Sequence, residues 1–247
     1  MEGMTRAELD RTETNDFAVG KGPLRPRDAA TLMLFDRSGG AVRVLMGRRS
    51  SRHTFMPGKL VFPGGRTDPS DSRVATADDL LPSVEAKLCS ACGTRFGASR
   101  ARAVALSAIR ETYEEAGILI GERRDYSTKR AGWDGFADHG VAPTLSGLRM
   151  LARAITPPGR VRRFDTRFIG CWRDAAALEL ADGGPTNELE ELVWLTLDEA
   201  VEADVPAITR TILQDISTRL AIDPDLSPDH PAPFYRMRNG RFLRDLI

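Results

Sequence analysis

The sequence predicts an α/β fold, because strand patterns and helix patterns both occur along one chain of 247 residues. The β-type patterns at 29–35 and 42–46 flank a glycine-containing turn, which indicates a hairpin. Apolar residues recur instead at helical spacing at 100–116 and at 205–220. At this length we expect one large domain, or one domain with appendages.

The elements between these segments follow from local signals. A short apolar strand at 60–62 precedes an irregular stretch at 66–99, which indicates an insertion loop with a short helix near 79–88. Ser99 is the candidate N-cap of the helix at 100–116, and Gly117 is the candidate residue that ends it. Further strands are predicted at 118–120, 167–172 and 192–195.

The last third of the chain predicts a helix, a linker and a tail. Leu145, Leu148 and Leu151 have the spacing of one helix face. Four prolines at 224–233 indicate a linker to a basic tail. We therefore expect three parts: an N-terminal extension at 1–27, a main domain at 28–222 and a C-terminal tail at 223–247.

Composition excludes several classes of protein. Lys and Arg number 35 against 35 Asp and Glu, and zero net charge is not typical of a protein held on nucleic acid or an anionic membrane by its overall field. No apolar run approaches the roughly 20 residues needed to cross a bilayer. The first residues lack the apolar segment of a secretory signal, and three cysteines are too few for a disulfide framework. We expect a cytoplasmic protein.

The helix at 100–116 carries an acidic cluster near its end. Glu111, Glu114 and Glu115 fall within one helical turn, apart from the apolar face. Like charges at this spacing repel, and the helix macrodipole disfavours anions there. Arg110 can pair with only part of the cluster, whereas a hard divalent cation would neutralise it. A solvated acidic face is the alternative.

The residues from Arg110 to Ile118, R-E-T-Y-E-E-A-G-I, resemble the second half of the Nudix box, R-E-U-x-E-E-x-G-U, where U is aliphatic. Gly65 resembles the glycine that opens the box as G-x5-E-x7. The interval from Gly65 to Arg110 is 45 residues against 14 in the usual box, so the resemblance implies about 31 extra residues within the motif. Counted back from Arg110, the place of the first glutamate holds Arg102.

A second resemblance lies upstream. The segment from Leu45 to Ser50, followed by Gly58 and by the Phe-Pro-Gly-Gly element at 62–65, is similar to the coenzyme A signature L-L-T-x-R-S-x3-R-x3-G-x3-F-P-G-G. Thr54 replaces the second arginine, and nearby Arg52 is a candidate substitute. This resemblance implies a substrate-binding set: Arg49, Ser50, Arg52, Gly58, Phe62, Gly64 and Gly65.

Together the two motifs make the chain similar to the CoA diphosphatase branch of the Nudix hydrolases. That resemblance implies a mixed sheet between helices and hydrolysis of CoA or acyl-CoA at its diphosphate. Mg2+ or Mn2+ would be held by Glu111, Glu114 and Glu115, with Glu114 and Glu115 also catalytic, while Arg110 would orient the cluster. The enzymatic alternative is a diphosphatase of ADP-ribose, NADH or another dinucleotide. The non-catalytic alternative is a Nudix ligand-binding regulator.

Three acids and seven arginines remain as further candidates. A later acid often completes such sites in relatives, and we favour Glu188 over Glu190 and Glu191, with surface charge as the alternative. Seven arginines between 149 and 173 could meet the phosphates of a nucleotide; the alternatives are a solvated surface or pairing with acidic loops. We expect a small-molecule nucleotide as the partner rather than a nucleic acid or a membrane, and interpret the arginines of the tail as basic surface or a homodimer contact.

Overall fold

The computed structural model describes residues 1–13, 20, 24–50, 58–186 and 188–247. Within these residues the α-helices are α1 (Arg6–Thr12), α2 (Pro82–Cys89), α3 (Ala98–Ala116), α4 (Asp134–Asp138), α5 (Leu197–Glu202) and α6 (Ala207–Ile222). The first strands are β1 (Arg27–Asp36), β2 (Arg43–Arg49), β3 (Leu60–Val61), β4 (Gly64–Arg66), β5 (Ile118–Arg123) and β6 (Val141–Pro143). The later strands are β7 (Arg149–Ile155), β8 (Phe164–Trp172), β9 (Ala176–Glu179), β10 (Leu189–Thr196), β11 (Pro233–Arg238) and β12 (Arg241–Leu246).

A mixed sheet forms the centre of the molecule, in the order β10-β2-β1-β8-β7-β11-β12. β1 and β8 pair in parallel from Arg27 opposite Phe164 to Phe35 opposite Trp172, whereas β2 pairs antiparallel with β1. β3 joins the edge of β2, and β4 joins β1. The predicted hairpin and the predicted mixed sheet are both confirmed.

Helices cover both faces of this sheet. Consecutive side chains of β1 point to opposite sides, so this strand packs against helices on both faces. Leu32 and Leu34 pack in the same buried cluster as Val104 of α3. Met33 and Phe35 pack with Ile212 of α6 in the other cluster. The sheet is therefore sandwiched between α3 and α6, which is the predicted α/β arrangement.

Two predictions about helices need correction. α3 begins at Ala98 after Gly97, and no side chain caps it, so Ser99 lies inside the helix and not at its N-cap. Leu145, Leu148 and Leu151 do not share a helix: the amide of Leu148 bonds to the carbonyl of Leu145 in a single turn, and Leu151 lies in β7. One turn has the same three-residue spacing as a helix face, which explains the error.

The predicted tail forms a hairpin of the central sheet, which begins at Pro233, the last residue of the predicted linker. β11 pairs with β12 and, in parallel, with β7. Phe234, Tyr235 and Phe242 are buried, and Leu9 of α1 packs in the cluster that contains Tyr235 and Phe242. The prolines and arginines of this segment conceal its strand pattern in the sequence. None of the helices in the described ranges is long and apolar enough to cross a membrane.

Candidate active site

The carboxyl end of α3 is held in place by the loop that leads to β10. Gly117 ends the helix in the left-handed conformation with φ 70°, as predicted. The amide and hydroxyl of Thr186 both donate to the carbonyl of Glu114, at 2.9 and 2.8 Å. This contact positions Glu188, two residues further on, near the acidic end of the helix.

Two glycines allow β4 to lie directly against α3. Gly64 and Gly65 pair with Thr31 and Ala30 of β1. The amide of Gly64 donates to Oε2 of Glu115 at 3.0 Å. A Cβ on Gly65 would lie 2.5 Å from Oε2 of Glu111. The Phe-Pro-Gly-Gly element thus contacts the acidic cluster through backbone that has no room for side chains.

A cleft of about 800 Å3 opens between β1, β4 and the end of α3. Most of the predicted site residues line it: Arg49, Gly64, Gly65, Arg110, Glu111, Glu114 and Glu188. Asp68, Asp71, Arg66 and Arg162 line it as well. The cleft therefore places carboxylates beside guanidinium groups, which suits a ligand that brings both a cation and phosphates.

Arg110 lies at the centre of the carboxylates. Its Nη1 is 2.9 Å from Oε1 of Glu111 and 2.8 Å from Oε2 of Glu114, and its Nε donates to Oδ2 of Asp71 at 3.2 Å. Glu115 is outside this network, as expected from the prediction that one arginine pairs with only part of the cluster. A single positive charge is shared among three carboxylates.

Burial makes these carboxylates poor anions in the absence of a further cation. It raises the pKa of Glu111 to about 7 and that of Glu115 to about 8, although Arg110 and the amide of Gly64 act in the opposite direction. Burial also raises the pKa of Glu114. The arrangement costs free energy that a bound cation would recover.

The chemistry of these donors fits a hard divalent cation, since all are carboxylate oxygens with too little positive charge nearby. Their positions are not yet those of a coordination shell. Glu111 and Glu114 bond to Arg110, whereas Glu115 lines a separate depression beside Ser50 and Glu190. Across the described residues no three Asp, Glu, His or Cys side chains gather closely enough to hold a metal. Joint coordination by the predicted trio therefore requires side-chain rotation, by Glu111 and Glu114 away from Arg110.

Asp71 is a site residue that the sequence analysis missed. It is 2% exposed, and besides Arg110 it accepts hydrogen bonds from Oγ of Ser107 at 2.9 Å and Nε1 of Trp133 at 2.8 Å. The signal was present: counted forward from Gly65, G-x5-E places the first acid of the box at position 71. Counting back from Arg110 across the long interval led to Arg102 instead.

Arg102 attaches the intervening segment to α3. Its guanidinium donates to the carbonyl of Val74 at 2.9 Å, to Oγ1 of Thr76 at 2.8 Å and to Asp79 at 2.9 Å. The segment also contains α2, where Pro82 occupies the first turn, so this helix starts three residues later than predicted. Arg102 is thus a structural residue.

The three candidate late acids lie in different surroundings. Glu188 lines the cleft, and its Oε2 is 3.4 Å from Nη2 of Arg49. Glu190 accepts a hydrogen bond from the hydroxyl of Ser50, and Glu191 pairs with Arg48 at the surface, at 2.9 Å. Only Glu188 of the three shares the cleft with Glu111 and Glu114.

The predicted substrate-binding residues separate into three groups. Arg49 lines the cleft, and within the part of the chain that the structure describes its buried Nε has no hydrogen-bond partner. Gly58 makes a left-handed turn with φ 73°, and its amide donates to the carbonyl of Arg49. Phe62 is buried and lines a separate apolar cavity of about 160 Å3. Arg52 and Thr54 lie outside the described residues.

Most of the arginines between 149 and 173 are engaged elsewhere. Arg153 pairs with Asp165 at 2.7 Å, Arg160 with Glu13 at 2.7 Å, and Arg167 with Asp28 at 2.9 Å. The remaining contacts are those of Arg149 and Arg163 with backbone carbonyls and of Arg173 with Asp36 and Glu179. Of the seven, Arg162 lines the cleft. Pairing with acidic groups, the alternative interpretation, holds for most of them.

Comparison with known proteins identifies the architecture. The structure is similar to the crystal structure of a Nudix hydrolase from Alicyclobacillus acidocaldarius, with 26% identity, a TM-score of 0.57, and coverage of 77% of this chain and 90% of that one. The sequence is 27% identical over 207 residues to a Caenorhabditis elegans protein named "Putative nudix hydrolase 7", covering 75% of this chain and 57% of that protein. The chain thus spans little more than half of that relative's length. No protein-family model matches. The chain has the Nudix fold, and both similarities support membership of the Nudix hydrolase family.

Proposed function

We propose that this Nudix-fold chain is a metal-dependent hydrolase that cleaves the diphosphate of CoA or acyl-CoA into adenosine 3′,5′-bisphosphate and (acyl-)4′-phosphopantetheine. The observation that carries the proposal is the cleft in which Glu111 and Glu114 face Gly65 and Arg49. A diphosphate is doubly anionic, so its binding beside carboxylates requires a cation. The same cleft supplies acids for that cation and arginines for the phosphates.

Each residue has a defined part in this proposal. Glu111, Glu114 and Glu115 would hold Mg2+ or Mn2+, which when bound neutralises phosphate charge and lowers the pKa of a water molecule. Arg110 positions Glu111 and Glu114 through its two ion pairs. Glu188 lies close enough to the cleft to accept a proton from the attacking water, as a general base.

The coenzyme A signature supports the choice of substrate. Arg49 lines the cleft, where its guanidinium could bind a phosphate oxygen. Gly64 and Gly65 bring backbone against the acidic cluster and keep side chains out of the diphosphate position. Gly58 and Ser50 support the end of β2 that carries Arg49.

The test is a substrate panel with product identification. The purified protein is incubated with CoA, acetyl-CoA, ADP-ribose and NADH, with Mg2+ or Mn2+, and product masses are measured. We expect CoA to yield adenosine 3′,5′-bisphosphate at the highest kcat/KM. Cleavage of ADP-ribose or NADH without cleavage of CoA would contradict the substrate assignment. Binding of a nucleotide with no cleavage of any compound would favour the regulator.

A further inference from the structure

A second cavity, of about 740 Å3, adjoins the catalytic cleft at the other end of the β4 segment. It lies between the start of β1 and the N-terminal end of α3, and the segment before α3 closes one side. Four arginines line it: Arg27, Arg66, Arg95 and Arg100. Asp28 is its only acidic lining residue. The cavity therefore carries an excess of positive charge.

The charge of Asp28 is already compensated. Its Oδ1 accepts from Nη1 of the fully buried Arg167 at 2.9 Å, and its Oδ2 pairs with Arg100. Within the described ranges, Arg27, Arg66 and Arg95 form no ion pair. Three guanidinium groups are thus available to an anion in the cavity.

The backbone at this point also favours an anion. α3 has 19 residues, no side chain caps its first amides, and its first turn contains no acidic residue. Unpaired amides and the helix macrodipole attract negative charge at such an end. Independently, Thr67 lines the cavity and is 7% exposed, and its Oγ1 has no hydrogen-bond partner among the described residues. A buried hydroxyl without a partner is costly unless a ligand satisfies it.

The cavity and the cleft adjoin each other. Arg66, Thr67 and Pro69 line both of them. A ligand can therefore place a diphosphate in the cleft and a further anion in the second cavity. In a nucleotide the 3′ and 5′ oxygens are borne by neighbouring parts of one ribose, so a 3′-phosphomonoester lies close to the 5′-diphosphate.

We propose that this second cavity binds the 3′-phosphomonoester of the nucleotide and selects substrates that carry it. The proposal rests on the proposed function, because it places the 5′-diphosphate in the catalytic cleft. Arg95 and the segment before α3, which take no part in the proposed reaction, would then serve to bind this phosphate. A nucleotide without this phosphate would leave the three arginines and Thr67 unsatisfied.

The test compares product affinities by calorimetry. We expect the wild-type protein to bind adenosine 3′,5′-bisphosphate at least about tenfold more tightly than AMP, equivalent to ~1.4 kcal/mol. Arg66→Ala and Arg95→Ala should each reduce that ratio below about threefold. Arg124→Ala removes an exposed arginine that pairs with Glu122 on β5, and should retain the ratio. Thermal unfolding of every variant verifies that it is folded.

Three results would overturn the inference: equal wild-type affinity for the two nucleotides, an unchanged ratio in the Arg66→Ala/Arg95→Ala double variant, or tighter binding of adenosine 2′,5′-bisphosphate. Hydrolysis of CoA and 3′-dephospho-CoA is measured in parallel. If neither is cleaved but the binding preference and its loss are observed, the proposed reaction fails and the phosphate site stands. If both are cleaved with equal kcat/KM and the two nucleotides bind equally, the reaction stands and the phosphate site fails.

Discussion

Asp71 accepts a hydrogen bond from Nε of Arg110 at 3.2 Å, across 39 positions of sequence. The contact joins the 3-10 turn at Pro69–Arg73 to the acidic end of α3. Arg110 in turn holds Glu111 and Glu114. A carboxylate far away in sequence therefore orients the arginine that orients the proposed metal ligands.

Asp71→Asn should lower both stability and turnover, because it removes a buried charge that faces Arg110 and Trp133. Breaking a buried pair costs about 3–5 kcal/mol, and we expect about 2 kcal/mol here since Arg110 keeps two other carboxylates. Asp68→Asn is the control: Asp68 is exposed, and its side chain accepts a hydrogen bond from the amide of Ser70, so a loss below about 1 kcal/mol is expected. Equal urea midpoints for the two variants would contradict the role of Asp71.

The two glycines of β4 should respond differently to a methyl group. In Gly64→Ala the new Cβ would lie 2.6 Å from the carbonyl oxygen of Ala30, which is backbone, so a clear drop in melting temperature is expected. In Gly65→Ala the three nearest atoms all belong to the movable carboxylate of Glu111, so turnover should fall more than stability. Gly39→Ala meets nothing within 4 Å and serves as the control. A Gly65→Ala protein with full activity would show that the position of Glu111 is unimportant.

Phe242→Ala tests whether the C-terminal hairpin is part of the core. Phe242 is 2% exposed and stacks on Tyr235 with ring centroids 6.0 Å apart, so truncation should cost about 3–5 kcal/mol. Leu246→Ala, at a residue that is 60% exposed, should change stability by less than about 0.5 kcal/mol. Chemical unfolding measures both. If the hairpin were detached from the core, both variants would lose little stability, and by similar amounts.

Stability without metal should fall as the pH rises from 5 to 8.5. Burial raises the folded-state pKa of Glu111 to about 7 and of Glu115 to about 8, so the folded protein binds more protons than the unfolded one between 4.5 and these values. Their stabilising contribution is present below 4.5 and is lost as the pH passes through the raised values. Glu115→Gln should flatten the decline, and millimolar Mg2+ should stabilise the protein most at the alkaline end. A metal-free stability that does not depend on Glu115 across this range would refute the prediction.

The sequence predicted best those candidate site residues that lie close to one another along the chain. Arg110, Glu111 and Glu114 lie at one helix end, Gly64 and Gly65 lie where neighbouring groups approach closely, and all five line the same cleft. Asp71 was missed because about 31 extra residues separate the first acid of the box from Arg110, so the usual interval between the two does not apply. The arginines between 149 and 173 were indistinguishable by residue type, since pairing with acids and binding of phosphate both need a guanidinium. Only tertiary contacts separate those two uses.

The sequence predicted the strands β1, β2, β5, β8 and β10 from their apolar runs, but it did not predict β7, β11 and β12, in which arginines separate the apolar residues. β8 is buried on both faces along much of its length and reads clearly as a strand. β11 and β12 contain arginines that pair across the hairpin or to α6, as Arg236 does with Asp245 and Arg244 with Asp215. These charges obscure the apolar pattern around Tyr235 in β11 and Phe242 in β12, which is recognisable only when the pairing of the two strands is known.

Metal-dependent hydrolysis of a diphosphate at the acidic end of α3 can be measured as the initial rate of CoA cleavage by the wild-type protein and by Glu114→Gln across a Mg2+ titration. Arg110 keeps Asp71 and Glu111 in the variant, so its melting temperature should be close to that of wild type. Loss of one ligand should remove about 3 kcal/mol or more of transition-state stabilisation, which lowers the rate by at least roughly 100-fold. Glu122→Gln, at an exposed residue of β5, is the matched control. We predict Mg2+-dependent release of adenosine 3′,5′-bisphosphate by wild type and control, with near-complete loss in folded Glu114→Gln. An unchanged rate in that variant would contradict the account.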